Sequence, residues 1–117
     1  MRVAIVGSRE YPNLAEVRAY VRALPPDTTI VSGGARGVDR VAAAEAHRQG
    51  LAVEVIKADW SRGRAAGPER NREIVRRVDR VVAFWDGQSP GTRSTIEYAR
   101  ATGRPLEIRT PPPAPPT

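Results

Sequence analysis

Two glycine-rich turns hold most of the side chains in this sequence that are suited to binding an anion. The first runs from Ser32 to Asp39 with three glycines within five positions, and the second runs from Trp85 to Thr92. Glycine lets the backbone approach a ligand closely, and the free N–H groups that open a following helix attract negative charge. The turns predict one shared phosphate site, to which they contribute Ser32, Gly33, Gly34, Arg36, Gly37, Asp39, Trp85, Ser89, Gly91 and Thr92.

Other polar residues fall where they would surround the same ligand. Gly7, Ser8 and Arg9 follow an apolar run at residues 2–6, and Arg70 and Asn71 lie in the first turn of a predicted helix. A guanidinium is a planar fork that suits phosphate or carboxylate oxygens. We therefore expect these five residues to contact the ligand as well.

Three side chains are the candidates for catalysis. Arg70 would position a phosphate or a ribose, and Glu97 or Asp86 would stabilise positive charge in the transition state or activate a water molecule. For two further side chains, Asp39 and Trp85, the sequence leaves more than one role open. Asp39 would complement the helix dipole, orient a neighbouring arginine or bond a ribose hydroxyl, and Trp85, like Trp60, would either stack on a base or pack under a loop.

The composition excludes several kinds of chemistry. The chain of 117 residues has no cysteine, and His47 is its one histidine. Thiolate nucleophiles and disulfides are thus excluded, and a serine nucleophile has no evident histidine partner. We expect no metal and no resident cofactor, because a nitrogen or sulfur metal site needs more of these ligands.

Arginine supplies almost all of the positive charge. The net charge is +6, and Lys57 is the single lysine. Scattered arginines are typical of a GC-rich or heat-adapted source and keep a protein in solution. One group of arginines lies in or beside the predicted loops and implies an anionic ligand: Arg9, Arg36, Arg62, Arg64, Arg70, Arg72 and Arg93.

Strands and helices alternate along the chain and would position these loops. Short, β-branched apolar runs at 2–6, 28–32, 52–56, 80–84 and 105–108 predict strands buried on both faces of a parallel sheet. Helical spacing fills the gaps, with starts expected near 14, 38, 67 and 92. The alternation predicts a doubly wound α/β sheet in the order 3-2-1-4-5, whose ligand lies outside the carboxyl ends of the strands.

The length and the ends of the sequence lead to expectations about organisation. A single domain is predicted over residues 1–109, followed by a flexible, extended proline-rich tail over 110–117. The first apolar run is too short for a signal peptide or a membrane span, so we expect a cytoplasmic protein without membrane contact. A small sheet leaves helix faces to cover, and we therefore expect a homo-oligomer.

The motifs together resemble one family over nearly the whole chain except the tail. The segments 7–9, 32–39, 58–60, 66–71 and 84–92 are similar to the YspA-like branch of the SLOG superfamily, which implies a Rossmann-like fold and binding of nucleotides or their derivatives. Related LOG phosphoribohydrolases carry an arginine that matches Arg70 and a Pro-Gly-Gly-x-Gly-Thr loop that resembles the one ending at Thr92. The LOG lysine corresponds to Asn71 and the LOG glutamate to Ser94, and the nearest carboxylate is Glu97.

Two functions from different classes follow. The first is binding of a nucleotide or nucleotide-derived phosphorylated ligand at the carboxyl edge of the sheet, with hydrolysis of an N-glycosidic bond in a nucleoside monophosphate if the chain is an enzyme. The second is nucleic-acid binding without catalysis, because the segment 32–39 resembles the corresponding loop of DprA proteins and the charge is positive. A cofactor carrier or sensor is a further alternative.

Overall fold

The structure is a computed structural model that describes residues 1–111. Its strands are β1 (Arg2–Gly7), β2 (Thr29–Ser32), β3 (Ala52–Val55), β4 (Arg80–Phe84) and β5 (Leu106–Arg109). Its helices are α1 (Leu14–Arg22), α2 (Val38–Arg48), α3 (Ala66–Arg76) and α4 (Pro90–Ala101), with a 3₁₀ segment at Trp60–Ala65. The predicted tail lies mostly outside the described residues.

All five strands are parallel and form one sheet in the order β3-β2-β1-β4-β5. The predicted Rossmann-like α/β fold and its strand order are therefore confirmed. Gly7 pairs with Phe84, and Ser32 pairs with Val55, so the strands end nearly level with one another. The loops after β1, β2 and β4 consequently leave the sheet along the same edge.

Apolar layers cover both faces of the central strands. One layer includes Ile5, Ile30 and Phe84 and packs against α1 and α2. The other includes Val31 and Val81 and packs against helices α3 and α4. Because consecutive strand residues point to opposite faces, the continuous apolar runs of β1 and β4 fill both layers.

The edge strands differ from the prediction. Burial on both faces is correct for β1 and β4 but wrong for β3 and β5, whose residues are only half-buried or exposed. Val55 at the end of β3 is 43% exposed. An edge strand has one neighbour instead of two, so its apolar residues are less covered than those of a central strand.

Helix starts follow local capping chemistry. The Asn13 side chain accepts a hydrogen bond from the Glu16 backbone N–H and thereby caps α1. Helix α3 begins at Ala66, slightly before the predicted start, because the 3₁₀ segment leads directly into it. Helix α4 begins at Pro90 rather than Thr92, since proline is tolerated in the first helical turn.

None of the helices among residues 1–111 combines the length and the apolar character needed to cross a membrane. In the same residues, no three histidine, aspartate or glutamate side chains are grouped so that they could share a metal ion. The predicted cytoplasmic location and homo-oligomer stay predictions, and light scattering of the purified protein would test the second.

Candidate functional site

Loops from several elements enclose a cleft at the carboxyl edge of the sheet, as the strand order predicts. This first cleft has a volume of about 480 Å³, which falls within the range of roughly 300–1,000 Å³ typical of small-molecule sites. It lies between the loop after β1, the start of α3 and the start of α4. Nine of the predicted site residues line it: Gly7, Ser8, Arg9, Asp39, Arg70, Asn71, Ser89, Gly91 and Thr92.

A second cleft of about 470 Å³ adjoins the first. Arg9, Ala35 and Arg70 line both clefts, so the two meet at these residues. The predicted residues Gly33, Gly34 and Arg36 line only the second cleft. The structure thus divides the predicted site into two neighbouring compartments.

Five predicted residues line neither cleft, and their positions show other roles. Ser32 is buried, and Gly37 precedes α2 as its cap residue. The Trp85 indole N–H donates to the Ser89 carbonyl at 3.1 Å, and the Arg93 guanidinium lies over its ring. This contact favours packing over base stacking for Trp85.

Neither carboxylate predicted for catalysis lines the cleft. Glu97 lies on an exposed position of α4. Asp86 accepts hydrogen bonds from the backbone N–H groups of Gln88 and Ser89 at 2.8 and 2.9 Å and from the Ser89 hydroxyl at 3.3 Å. These donors hold the pKa of Asp86 below its usual value. Asp86 therefore organises the loop before α4 as a carboxylate.

The glycine-rich turn after β2 satisfies its own backbone. Gly34 N–H donates to the Ser32 hydroxyl at 3.1 Å, and Ala35 N–H donates to an Asp39 carboxylate oxygen at 3.3 Å. The backbone N–H groups of Gly33 and Gly7 also lower the pKa of Asp39 and so favour its carboxylate form. Asp39 and Ser32 consequently take up two of the turn amides that the sequence predicted would bind a phosphate.

Burial has a strong effect on Asp39. The side chain is 5% exposed, and burial raises its pKa from 3.8 to about 6, against the opposing effect of the Ala35 backbone hydrogen bond and the Arg70 charge. A buried carboxylate resists ionisation because it loses its hydration. The sequence left three roles open for Asp39. The structure places its carboxylate beside Arg70 and the turn amides, and this position favours the role of orienting an arginine.

The start of α4 is the most available anion-binding element. Its cap residue, Ser89, makes no side-chain hydrogen bond to the helix, because the hydroxyl bonds Asp86 instead. Pro90 has no N–H, so the Gly91 and Thr92 amides open the helix without a capping side chain. Both residues line the first cleft, where unpaired amides and the helix dipole favour an anion.

Arg70 is held in place on one side and open on the other. Its Nη1 donates to the Gly33 carbonyl at 2.7 Å, and its Nε donates to the Asn71 side-chain oxygen at 2.9 Å. Because a guanidinium carries five N–H donors, three stay available among the residues that the structure describes. An ideal Cβ at Gly33 would lie 2.9 Å from Arg70 Nη1, so the glycine provides the space that this side chain occupies.

The structure adds lining residues that the motifs did not reveal. Glu10 and Thr95 line the first cleft, and Arg40 and Lys57 line the second beside Trp60, for which the sequence had already left base stacking open. Thr95 follows Thr92 by three residues, so helical spacing was a usable signal for it. Arg40 and Lys57 lie outside any glycine motif, and only the folded chain brings them together.

The sequence comparison agrees with this architecture. Residues 1–63, more than half of the chain, match the model of the YspA, cpYpsA-related SLOG family, YAcAr. The chain belongs to this family. No curated protein matches the sequence of this SLOG member.

Solved structures show the same fold. DNA processing protein A (DprA) from Streptococcus pneumoniae superposes with a TM-score of 0.80 at 22% identity, over 92% of this SLOG chain and 49% of that structure. DprA from Helicobacter pylori superposes with a TM-score of 0.68 at 20% identity, over 92% and 64% of the two chains. The SLOG chain thus spans 49% and 64% of the length of these two structures.

Proposed function

We propose that the first cleft binds the phosphate of a nucleotide or nucleotide-derived ligand. The observation that carries the proposal is the uncapped start of α4, which lines the same cleft as the partly free Arg70 guanidinium. The N–H groups of Gly91 and Thr92 would donate to the phosphate oxygens, and the Thr92 hydroxyl would add a third donor. Arg70 would contribute a charged fork to the same oxygens.

Binding without cleavage fits the cleft better than N-glycosidic hydrolysis. Hydrolysis needs a carboxylate near the sugar to stabilise positive charge or activate water. Glu97 is exposed on α4 outside the cleft, and the oxygens of Asp86 already accept hydrogen bonds from its own loop. Of the two carboxylates that line the cleft, Asp39 already accepts the Ala35 backbone N–H, and Glu10 lies at an exposed position. Incubation with a panel of nucleoside monophosphates should release no free base, and release from any of them would contradict this part of the proposal.

Gly91 offers a direct test of phosphate binding. A Cβ at this position meets no atom within 4 Å, so a larger residue fits without disturbing the fold. Gly91→Glu would place a carboxylate beside the α4 amides and should lower the affinity for a nucleoside monophosphate at least tenfold in calorimetry. Gly91→Ala is the matched control and should bind like the wild type. Equal affinities of the two variants would remove the start of α4 from the site.

Single-stranded nucleic acid is the second candidate ligand. The structure of DprA from Helicobacter pylori is described as revealing a single-stranded DNA binding mode, and several cations line the second cleft of the present chain. Binding through several arginines should weaken steeply with added salt, because counterions are released from the phosphates. Only a modest dependence on salt would favour the mononucleotide.

A further inference from the structure

The second cleft has a charge pattern that the first cleft lacks. Its lining includes five cationic side chains and no carboxylate: Arg9, Arg36, Arg40, Lys57 and Arg70. Asp39 and Glu10 line only the first cleft. A concave surface lined by charges of one sign concentrates the electric field, so a positively charged cleft attracts anions.

These five cations also have no carboxylate partner within 4 Å in residues 1–111, whereas other arginines of α3 and its flanking segments do. Arg62 pairs with Glu69, and Arg77 pairs with both Glu54 and Glu73. A group of cations without partners repels itself, and a polyanion would remove that repulsion.

An exposed aromatic ring completes the second cleft. Trp60 is 64% exposed, the highest value among the large apolar side chains of the described segment. The edge of its six-membered ring lies 3.5 Å from an ideal Cβ at Gly67, so the edge rests on the start of α3. Val55, itself 43% exposed, lines the cleft beside it. Flat aromatic faces of this kind stack on nucleobases.

We infer that the second cleft is a subsite for a second nucleotide unit, whose base stacks on Trp60 and whose phosphate contacts Arg36, Arg40 and Lys57. This inference rests on the proposed function, because the first cleft holds the first unit. The phosphate of the second unit is the phosphodiester that joins the two units, and Arg9 and Arg70, which line both clefts, are placed to contact it together with these three cations. The preferred ligand is therefore a linked dinucleotide, either free or as part of a single strand.

The experiment compares a mononucleotide with a 5′-phosphorylated dinucleotide, pdApdA against dAMP, by calorimetry. Wild-type protein should bind pdApdA at least tenfold more tightly than dAMP. Trp60→Ala should weaken pdApdA about tenfold, the order expected for one lost base stack, and Arg40→Ala should weaken it several-fold through the loss of one charged phosphate contact. Both variants should weaken dAMP less than twofold. Arg48→Ala is the matched control, since Arg48 is an exposed arginine at the far end of the same helix, α2.

Fluorescence gives a second readout that does not depend on affinity. Stacking on Trp60 should quench indole emission when pdApdA binds, whereas Trp60→Phe, whose smaller ring can still stack, should bind more tightly than Trp60→Ala and lose most of the quench. Trp85 is the other tryptophan of the chain and remains in both proteins. A dinucleotide that binds without any difference in quench between the two proteins would overturn the stacking contact.

The outcomes separate the two proposals. If dAMP binds and pdApdA gains nothing, the second subsite is wrong and the phosphate site stands. If pdApdA binding depends on Trp60 but is unchanged in Gly91→Glu, the second cleft is supported and the phosphate site is wrong. If neither nucleotide binds, both are wrong. If a ten-nucleotide single strand binds more tightly than pdApdA, the ligand is a single-stranded nucleic acid. If the strand and pdApdA bind with equal affinity, the ligand is a free dinucleotide.

Discussion

Asp39→Asn should change how stability depends on pH, by an amount that the structure allows us to calculate. The pKa of Asp39 rises from 3.8 to about 6 on folding because the side chain is buried. One pKa unit corresponds to about 1.4 kcal/mol, so the shift corresponds to about 3 kcal/mol of folding free energy. The substitution removes this contribution together with the charge.

The sign follows from the direction of the shift. Since the folded pKa lies above the unfolded value, the folded state binds the proton more tightly, and this stabilisation is complete below pH 3.8. It is lost as the pH rises through about 6. The free energy of unfolding of the wild type, relative to that of Asp39→Asn, should therefore fall by about 2.5 kcal/mol between pH 3.8 and pH 7, because the unfolded carboxyl is already half ionised at pH 3.8.

Urea titrations at pH 4, 5, 6 and 7, followed by circular dichroism, would measure this difference. The comparison between the two proteins cancels the carboxyls that they share, including Glu45, Glu54 and Glu73, whose pKa values are lowered by their partners. Asp86→Asn is a suitable control because the pKa of Asp86 is lowered as well. Relative to the wild type, its stability should stay constant between pH 5 and pH 7.

A flat difference between wild type and Asp39→Asn across this pH range would refute the reasoning. It would mean that the turn amides and the Arg70 charge compensate fully for burial, and that Asp39 ionises in the folded chain as it does in the unfolded chain. A difference of the opposite sign would mean that these groups outweigh burial.

Two glycine substitutions give further predictions. Gly37→Ala should lower the free energy of unfolding by about 2–3 kcal/mol, because Gly37 has φ +77° and a Cβ would lie 2.5 Å from the Arg9 carbonyl oxygen. Gly50→Ala is the control, since Gly50 has the same φ but no atom within 4 Å of its Cβ position. Its free energy of unfolding should fall clearly less in the same urea titration. Gly33→Ala should displace the Arg70 guanidinium and weaken nucleoside monophosphate binding several-fold while the chain stays folded, and unchanged affinity in calorimetry would contradict the role of Arg70.

The sequence predicts the sheet well because its signals are local. Strand order follows from the alternation of short apolar runs and helical spacing, together with the handedness of parallel crossovers. The partial exposure of β3 and β5 was not predictable in this way. Each edge strand contains a glutamate, Glu54 or Glu107, whereas the central strands have no charged residue in their interior, and the number of neighbouring strands then decides how far the apolar residues are buried.

The location of the candidate cleft was predictable, but its detailed structure was not. The motifs identify the loops that meet at the sheet edge, and they include Arg70 and the start of α4. They do not show that Asp39 turns back onto the glycine-rich turn, since that depends on side-chain direction at the start of α2. The sequence did not decide whether Trp60 stacks on a base or packs under a loop, because the exposure of its side chain depends on the path of the segment between β3 and α3.

The carboxylate of Asp39 beside the turn after β2 also determines which part of the site is rigid before a ligand arrives. The Gly34 and Ala35 amides already have acceptors within the chain, so their hydrogens should exchange slowly with deuterated solvent in the free protein. The Gly91 and Thr92 amides at the start of α4 have no such capping partner and should exchange within the fastest measurable times. One half of the pocket is thus preorganised by the chain itself, and the other half gains its protection only when an anion is present.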